Sequence, residues 1–404
     1  QRFINNATVF YCAKCSPPTT LSVTSVSIYR RMKVSGFGSI WRRVAHSQKQ
    51  PRVLSAFCYS GNENTSTKSA ILSNAIVGRR PFSTEPQHST FKAFDRSLKR
   101  LQRNNAARVL RKYDNPAAYD YLRDEIAVRL VDRLDDIRRD EGFPLALDIG
   151  AGAGHVYRAI CADDAITGEG GIGGVRKLVQ LDSAKNMLNR DADKVGDTTA
   201  ERCDTYRLPA NEEEKLPFPD GTFDLVISSA ALHWVNDLPG LFSEINRVLK
   251  PDGCFMFAMI GGTTLPELRV SMVLAEQERE GGVSPHVGPF VELSDLGNLL
   301  QQNGFALPTL DTDTIRLAFP NAAVLMEHLQ RMGEANASLS RRPKVGLDTF
   351  LATACLYDQM FPEEDGNSVE ASVQVIYAIG WTPHESQQKP LERGTATKRI
   401  KDIV

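Results

Sequence analysis

The fold is decided by one stretch of the chain, Leu145-Ala-Leu-Asp-Ile-Gly-Ala-Gly-Ala-Gly154. Its first five residues form a short apolar run, which predicts a buried strand of a parallel sheet. The glycines end that strand, and we expect a helix to begin near His155. Glycine has no Cβ and adopts positive φ without strain, so such a turn lets a ligand approach the bare backbone. The stretch therefore predicts a strand, a ligand-binding turn and a helix, in that order.

Strand and helix patterns alternate after this turn. Further strands are predicted at residues 177–181, 205–208, 223–228 and 254–260, and helices between them at 184–194 and 238–249. Such alternation indicates βαβ units, that is, an α/β fold with a parallel sheet and helices on both faces. Beyond residue 260 the pattern changes to helices, followed by short strand-like runs at 313–318 and 373–379.

Two helices are predicted ahead of the first strand, at residues 91–115 and 116–139. In the first of them Phe94, Leu98 and Leu101 recur at helical spacing, so we expect these side chains to face the core. The basic residues between them, including Lys99 and Arg103, are then expected to form a solvated face.

The first 82 residues have the composition of a mitochondrial transit peptide. Nine Lys and Arg residues precede the first acidic residue, Glu63, and Ser and Thr are abundant. The alternative is a disordered basic tail that binds nucleic acid. The domains that we predict are a leader at 1–82, N-terminal helices at 91–140, a cofactor-binding core at 141–262, a helical insertion with the last strands at 263–390, and a tail at 391–404.

Composition and charge exclude several classes of protein. The 404 residues carry 48 Lys and Arg against 49 Asp and Glu, with 42% hydrophobic residues, which is typical of a globular chain and not of a general nucleic-acid binder. No apolar run reaches the about 18–20 residues that cross a bilayer, so we expect no transmembrane segment. Seven scattered cysteines favour reduced thiols. Cys12 and Cys15 form a CxxC without a second ligand pair, so no zinc site is predicted.

The residues of the turn differ from a dinucleotide-binding fingerprint, because the third glycine of that fingerprint falls on His155. Asp148 stands two residues before the first glycine. This pattern resembles the signature of class I S-adenosylmethionine-dependent methyltransferases. The resemblance implies a Rossmann-like fold with a mostly parallel seven-stranded sheet and extra helices. It also implies S-adenosyl-L-methionine as the cofactor, with its amino-acid moiety wrapped by the turn at Gly150, Gly152 and Gly154.

Further cofactor contacts are expected where the next strands end. Asp182 follows the second predicted strand, and its two carboxylate oxygens match the two hydroxyls of a ribose. Ser183 and Met187 come next, and Met187 either flanks the adenine or packs within the helix. The resemblance implies that Glu212 reaches the adenine amino group, with Asp204 as the second candidate.

The loop after the fourth strand begins at Ser228 and contains His233. In the resembled fold this loop closes over the sulfonium, which makes Ser228 a cofactor-site candidate. His233 is a candidate general base or positioning group, and a structural histidine beside Trp234 explains it equally well.

A closer resemblance covers about residues 91–396. It is carried by the segments Phe94-Asp-Arg-Ser-Leu-Lys-Arg100, Gly261-Gly-Thr-Thr-Leu-Pro-Glu-Leu-Arg269, Ala275-Glu-Gln-Glu-Arg-Glu-Gly-Gly-Val-Ser-Pro-His286, Met332-Gly-Glu-Ala-Asn336 and Gly380-Trp-Thr-Pro-His-Glu-Ser-Gln387. These segments resemble the mitochondrial respiratory complex I assembly factor 5 family, described as arginine hydroxylases. The bacterial malonyl-carrier-protein O-methyltransferases are a more distant likeness.

The resemblance implies a protein on the matrix side of the inner mitochondrial membrane, peripheral to that membrane. There it would modify an arginine of a peripheral-arm subunit during early complex I assembly, in contact with other assembly factors. Three alternatives stay open, namely arginine hydroxylation, methyl transfer to a protein or carrier-bound small molecule, and a catalytically silent chaperone. Methyl transfer needs mainly orientation, because the sulfonium is already activated, whereas hydroxylation needs an oxidant.

Catalytic residues are only weakly indicated. The candidates are His233, Glu267 and His286. No metal is predicted, because the two-histidine, one-carboxylate spacing of a non-haem iron site is absent from the sequence. An arginine substrate needs carboxylates for its planar guanidinium, and the candidates for that contact are Glu267, Glu276, Glu280 and Asp313.

Overall fold

A mixed eight-stranded sheet organises the part of the chain that this computed structural model describes, residues 9–11, 92–113, 116–162, 170–191, 203–364 and 366–388. The strands are β1 (Val9–Tyr11), β2 (Leu145–Ile149), β3 (Lys177–Leu181), β4 (Asp204–Leu208), β5 (Phe223–Ser229), β6 (Leu249–Ile260), β7 (Ala306–Phe319) and β8 (Val369–Trp381). Their order across the sheet is β1-β7-β8-β6-β5-β2-β3-β4. Strand β8 pairs antiparallel with β6 and β7, and the other pairs are parallel.

The sheet confirms the predicted α/β class and the predicted strands. Seven of its strands form the expected mostly parallel sheet, and the predicted run at 205–208 corresponds to β4. The eighth strand, β1, was not anticipated, because it lies within the segment that we assigned to a leader. It pairs with residues 316–318 of β7. The remainder of the predicted leader and the predicted tail at 391–404 lie outside the described residues.

Helices cover both faces of the sheet. They are α1 (Arg96–Leu110), α2 (Tyr121–Asp135), α3 (His155–Ile160), α4 (Lys185–Leu188), α5 (Leu238–Val248), α6 (Pro266–Glu280), α7 (Leu293–Gln302), α8 (Ala322–Met332) and α9 (Leu347–Met360). The apolar stripe predicted for α2 is buried, since Ile126, Leu130 and Leu134 have no exposed surface. None of these helices combines the length and apolarity that a membrane crossing requires.

Helix α1 contradicts its predicted orientation. Leu101 is 64% exposed, whereas Lys99 and Arg103 are 2% and 7% exposed and lie on the buried face with Ala106 and Leu110. The reason is electrostatic, because carboxylates from distant segments face this side of the helix and receive its cations. Apolar spacing alone does not report such partners.

The topology places one crevice at the carboxyl ends of the central strands. Strand β2 has β3 on one side and β5 on the other, and the chain passes from β2 to β3 and later returns to β5. In an open parallel sheet, ligands bind where the strand order reverses in this way. The glycine turn after β2, the acid after β3 and the loop after β5 all open onto that point.

Candidate cofactor site

The glycine turn adopts the backbone conformation that the sequence predicts. Gly150, Gly152 and Gly154 have φ of +73°, +58° and +82°, a region that favours glycine. The two glycines at the start and centre of the turn serve different needs. A Cβ on Gly150 would lie 2.2 Å from the Cβ of Ala231, so the protein's own loop requires that glycine. A Cβ on Gly152 would find no atom nearer than 3.4 Å, but the His155 ring and the guanidinium groups of Arg103 and Arg123 lie 3.4–3.7 Å from that point, so side chains cover the turn there.

Asp182 is in direct contact with this turn. Its carboxylate has no exposed surface, and it accepts the Gly152 N–H at 2.8 Å and the Ala184 N–H at 2.7 Å. The turn is also joined to the end of β3, because the Gly150 N–H donates to the Leu181 carbonyl at 2.8 Å. The structure therefore brings together the bend and the acid that we expected to hold the cofactor.

Two arginines of helix α1 form ion pairs with the acids that were predicted to bind the cofactor, an arrangement that helical periodicity does not predict. Arg103 donates to both oxygens of Asp182, with Nη1 at 3.1 Å and Nη2 at 2.7 Å. Arg96 pairs with Glu212, which is 3% exposed, and lies 3.6 Å from Glu213. Both acids are therefore neutralised by one helix.

Several buried polar groups near the turn have no hydrogen-bond partner among the residues that the structure describes. Both oxygens of Asp148 are unpaired, as are both amide atoms of Gln180, its register partner on β3. The Ser229 hydroxyl and one oxygen of Glu212 are also unpaired. Burial raises the pKa of Asp148 well above its usual range, and the nearby charge of Asp182 adds to the effect. Because buried polar groups are nearly always paired, this cluster fits a polar ligand that supplies the missing partners.

The remaining candidates for cofactor contacts lie in different environments. Ser228 is fully buried and donates to the Ile149 carbonyl at 2.7 Å, so it ties β5 to β2. Met187 is 2% exposed and packs among alanines of α1 and of the turn, which favours the helix-packing role. Ser183 is half-buried beside Asp182. Asp204 is exposed and begins β4, so it lies at the amino end of that strand, whereas the glycine turn and Asp182 follow the carboxyl ends of β2 and β3.

The loop after β5 contacts the carboxylate of Glu334, a residue that the sequence did not single out as a candidate. Glu334 accepts the Trp234 Nε1–H at 2.7 Å, lies 3.7 Å from His233 Nε2 and pairs with Arg123. Lys99 is 3.3 Å above the Trp234 ring and 3.9 Å from the same carboxylate. Burial acts to raise the pKa of Glu334, but Arg123 and Lys99 outweigh it and hold the pKa well below its usual range. Glu334 is thus the central anion of a buried charge network.

His233 remains a candidate without an assigned role. It is 4% exposed, and burial lowers its pKa, so the ring is neutral at physiological pH. Its Nδ1 has no hydrogen-bond partner within the described ranges. A neutral ring with one free nitrogen is what a general base requires, but the packing of this ring against Trp234 and Phe290 equally suits a structural role.

The other candidates for catalysis or for binding a substrate guanidinium form hydrogen bonds and ion pairs with residues of the same chain. Glu267 accepts from the Ser372 hydroxyl at 2.6 Å, and Glu276 from the Ser284 hydroxyl at 2.8 Å. His286 lies 3.1 Å from Glu276. Glu280 accepts from Thr349, and Asp313 pairs with Arg129. These contacts are structural, and none of these residues joins the crevice through a contact in the described part of the chain.

One group of side chains within the described ranges is close enough to hold a metal ion, namely Asp120, Asp124 and His155. Arg190 binds both oxygens of Asp120, and Arg158 donates to Asp124 at 2.7 Å. The arginines already neutralise the carboxylates, so the group is an ion-pair network and we assign no metal to it.

Known proteins resemble this chain over most of its length. Residues 147–257 match the family model described as a methyltransferase domain. The chain is 46% identical over 322 residues to "Arginine-hydroxylase NDUFAF5, mitochondrial" of Rattus norvegicus, a match that covers 80% of this chain and 86% of that protein. The protein of the same name in Dictyostelium discoideum is 43% identical over 317 residues, covering 77% and 70%. The malonyl-[acyl-carrier protein] O-methyltransferase of Laribacter hongkongensis is 31% identical over 299 residues, covering 71% and 93%.

Solved structures show more distant likenesses. The YcgJ protein of Bacillus subtilis is 18% identical with a TM-score of 0.42, over 63% of this chain and 99% of that one. Phosphoethanolamine N-methyltransferase 2 of Haemonchus contortus in complex with S-adenosyl-L-methionine is 17% identical with a TM-score of 0.38, over 64% and 52%.

Proposed function

The chain belongs to the family of mitochondrial arginine-hydroxylase NDUFAF5 proteins, and from this premise we propose that it binds S-adenosylmethionine and modifies an arginine of a respiratory complex I subunit. The observation that carries the proposal is the hydrogen bond that the Asp182 carboxylate accepts from the Gly152 N–H of the glycine turn. In S-adenosylmethionine, the ribose hydroxyls can donate to the Asp182 carboxylate, and the charged amino-acid moiety can bind the backbone of the glycine turn.

The residues present suit this cofactor. Asp148 and Gln180 are buried with unpaired polar atoms beside the turn, and a bound amino-acid moiety offers both donors and acceptors. Glu212 has one buried oxygen without a hydrogen-bond partner among the described residues, and an adenine amino group would be a suitable donor to it. When bound, S-adenosylmethionine supplies a sulfonium whose methyl group is already activated. The protein's part is to orient the cofactor and to exclude water from the crevice.

Arginine hydroxylation is the reaction that the names of the relatives support. Methyl transfer is the second candidate, favoured by the methyltransferase-domain match and by the 31% identity to a carrier-protein methyltransferase. We place the protein on the matrix side of the inner mitochondrial membrane, where a peripheral-arm subunit and other assembly factors are its partners. Early assembly of complex I is the process that it serves in this proposal.

Cofactor binding is tested with two glycine variants that share one backbone strain. Gly152 and Gly221 have φ of +58° and +60°, and a Cβ on Gly221 would find no atom within 4 Å. We expect Gly221→Val to bind S-adenosylhomocysteine as the wild type does in calorimetry, and Gly152→Val to lose binding because its side chain enters the crevice. Unchanged affinity in Gly152→Val would show that the turn does not hold the cofactor.

The reaction is tested in cells that lack the protein. Arginine-containing peptides of complex I peripheral-arm subunits are compared by mass spectrometry after complementation with the wild type or with Gly152→Val. We expect one arginine to carry the mass of an added oxygen only with the wild type. An added methylene mass would establish methyl transfer instead, and identical peptides in both lines would reject modification and leave a chaperone.

A further inference from the structure

The buried face of helix α1 is a row of cations directed at the crevice. Arg96, Lys99 and Arg103 are spaced by three and four residues, so they lie on one side of the helix. Arg96 reaches Glu212 and Arg103 reaches Asp182, the two acids assigned to the adenine and the ribose. Arg96 therefore holds the acid expected to bind the adenine, and Arg103 holds the acid expected to bind the ribose.

Asp182 has no capacity left for a ribose. A carboxylate offers about four lone-pair positions, and four donors fill them here. Two are the backbone N–H groups of Gly152 and Ala184, and two are the Nη groups of Arg103. The backbone donors belong to the turn and to the start of α4, which the fold holds in place. Arg103 is the donor that a side-chain rotation can remove.

A second anion within reach of Arg103 is expected on the cofactor itself. The Nη2 of Arg103 is 3.5 Å from the point where a Gly152 Cβ would stand, so the guanidinium already lies over the turn. Arg123 Nη1 is 3.7 Å from the same point. The amino-acid moiety assigned to that turn ends in a carboxylate, and guanidinium and carboxylate form paired, charge-assisted hydrogen bonds.

We propose that Arg103 exchanges partners when the cofactor binds, leaving Asp182 to the ribose hydroxyls and pairing with the carboxylate of the cofactor's amino-acid moiety. This inference rests on the proposed function. The exchange keeps the buried guanidinium compensated in both states, because it always has one anion, and it releases Asp182 only to a ligand that brings a carboxylate. Arg103 therefore selects the whole amino-acid nucleoside against fragments that lack the carboxylate.

The test uses two ligands that differ by that carboxylate alone. Calorimetry measures the dissociation constants of S-adenosylhomocysteine and of its decarboxylated analogue, 5′-deoxy-5′-(3-aminopropylthio)adenosine. The proteins are the wild type, Arg103→Gln, Arg103→Lys and the control Arg100→Gln, which removes an exposed charge from the same helix. The readout is the ratio of the two dissociation constants, which does not depend on activity.

In the wild type we expect S-adenosylhomocysteine to bind about tenfold or more tightly than the analogue, as charge-assisted hydrogen bonds predict. In Arg103→Gln the ratio should fall to near one, and the analogue should bind more tightly than it does to the wild type, because Asp182 is no longer occupied. Arg103→Lys should keep part of the ratio, and Arg100→Gln all of it.

Other outcomes overturn the inference in distinguishable ways. An Arg103→Gln protein with the wild-type ratio, or with both affinities weakened equally, would make Arg103 a fixed structural counter-ion. If Arg103→Gln does not fold, a wild-type ratio in Arg103→Lys decides against the exchange, since a lysine cannot form the paired contact. A wild type that binds neither ligand would overturn the proposed function as well, whereas equal binding of both would overturn the exchange alone.

Discussion

Replacing Asp148 by asparagine should make the protein more stable while weakening its cofactor site. Asp148 is fully buried on β2, and in the described part of the chain neither of its oxygens has a hydrogen-bond partner. Burial, with the charge of Asp182 as the second cause, raises its pKa well above the usual value of 3.8. The carboxyl group therefore stays protonated in the folded chain at pH values where the unfolded chain would ionise it. Asparagine has nearly the same shape and never ionises.

The sign and size of the effect follow from this shift. The folded pKa exceeds the unfolded one, so the stabilising contribution of the protonated carboxyl is complete below about pH 3.8 and is lost as the pH rises toward the folded pKa. Each pH unit in that interval removes about 1.4 kcal/mol from the free energy of unfolding of the wild type. Asp148→Asn does not suffer this loss, so its advantage should be near zero at the acidic end and should grow by about 1.4 kcal/mol for each pH unit up to the folded pKa.

Urea unfolding at several pH values between 4 and 7.5 measures this difference. Asp224→Asn is the matched control, because Asp224 is also buried in the sheet but accepts from the Leu145 N–H at 3.2 Å and from Lys250 at 2.9 Å. We expect the control to lower the free energy of unfolding. Parallel pH profiles for the wild type and Asp148→Asn, or a less stable Asp148→Asn, would refute the reasoning. S-adenosylhomocysteine should bind Asp148→Asn more weakly, since the gain in stability comes from removing a group that the ligand uses.

Three further changes test the packing and the charges around the crevice. Gly150→Ala should lower the melting temperature more than Gly152→Ala. Positive φ costs both variants about 1–2 kcal/mol, but only the Cβ of Gly150→Ala makes a close contact, with Ala231. Equal decreases in melting temperature would contradict this. Burial lowers the pKa of Lys99 from 10.5 to about 7. Between these pH values the unfolded chain keeps the Lys99 proton and the folded chain does not, so the free energy of unfolding should rise with pH across that interval. Lys99→Met should abolish that rise in urea titrations, and a persisting rise would assign it to another group. Arg190→Met should cost about 3–5 kcal/mol because it removes the bidentate partner of the buried Asp120 and leaves that carboxylate only Arg158, at 3.9 Å. Adding Asp120→Leu should recover most of the loss, and a double variant as unstable as the single one would show that the pair contributes through packing instead.

The elements that the sequence predicted correctly are those that follow from local pattern and strand direction. The turn at Gly150, Gly152 and Gly154 follows from the absence of side chains. The contact between Asp182 and that turn follows because β2 and β3 are adjacent parallel strands, whose carboxyl ends meet at one edge of the sheet. The central strand β5 is a continuous buried run, whereas β4 is largely polar, so its prediction depended on the alternation of strand and helix patterns along the chain.

The cationic face of helix α1 could not be predicted in the same way. Periodicity places apolar residues inward, and by that rule Leu101 belongs in the core and Arg103 in water. The partners that reverse this choice, Asp182 and Glu334, lie 79 and more than 200 residues further along the chain. Only tertiary structure brings them to the helix. The one signal in the sequence was the unusual density of basic residues in a helix with a poor apolar stripe.

The charges around Asp182 and Glu212 come from different segments of the chain. The segment that matches the general methyltransferase family, residues 147–257, contains Asp182 and Glu212 but none of the cations that neutralise them. Those cations lie on α1, ahead of the matched segment, and Glu334 lies after it. A buried carboxylate without a counter-charge is strongly destabilising, so the folded core depends on the flanking segments for the cations that neutralise Asp182 and Glu212. In our proposal, the flanking segments therefore belong to the cofactor site.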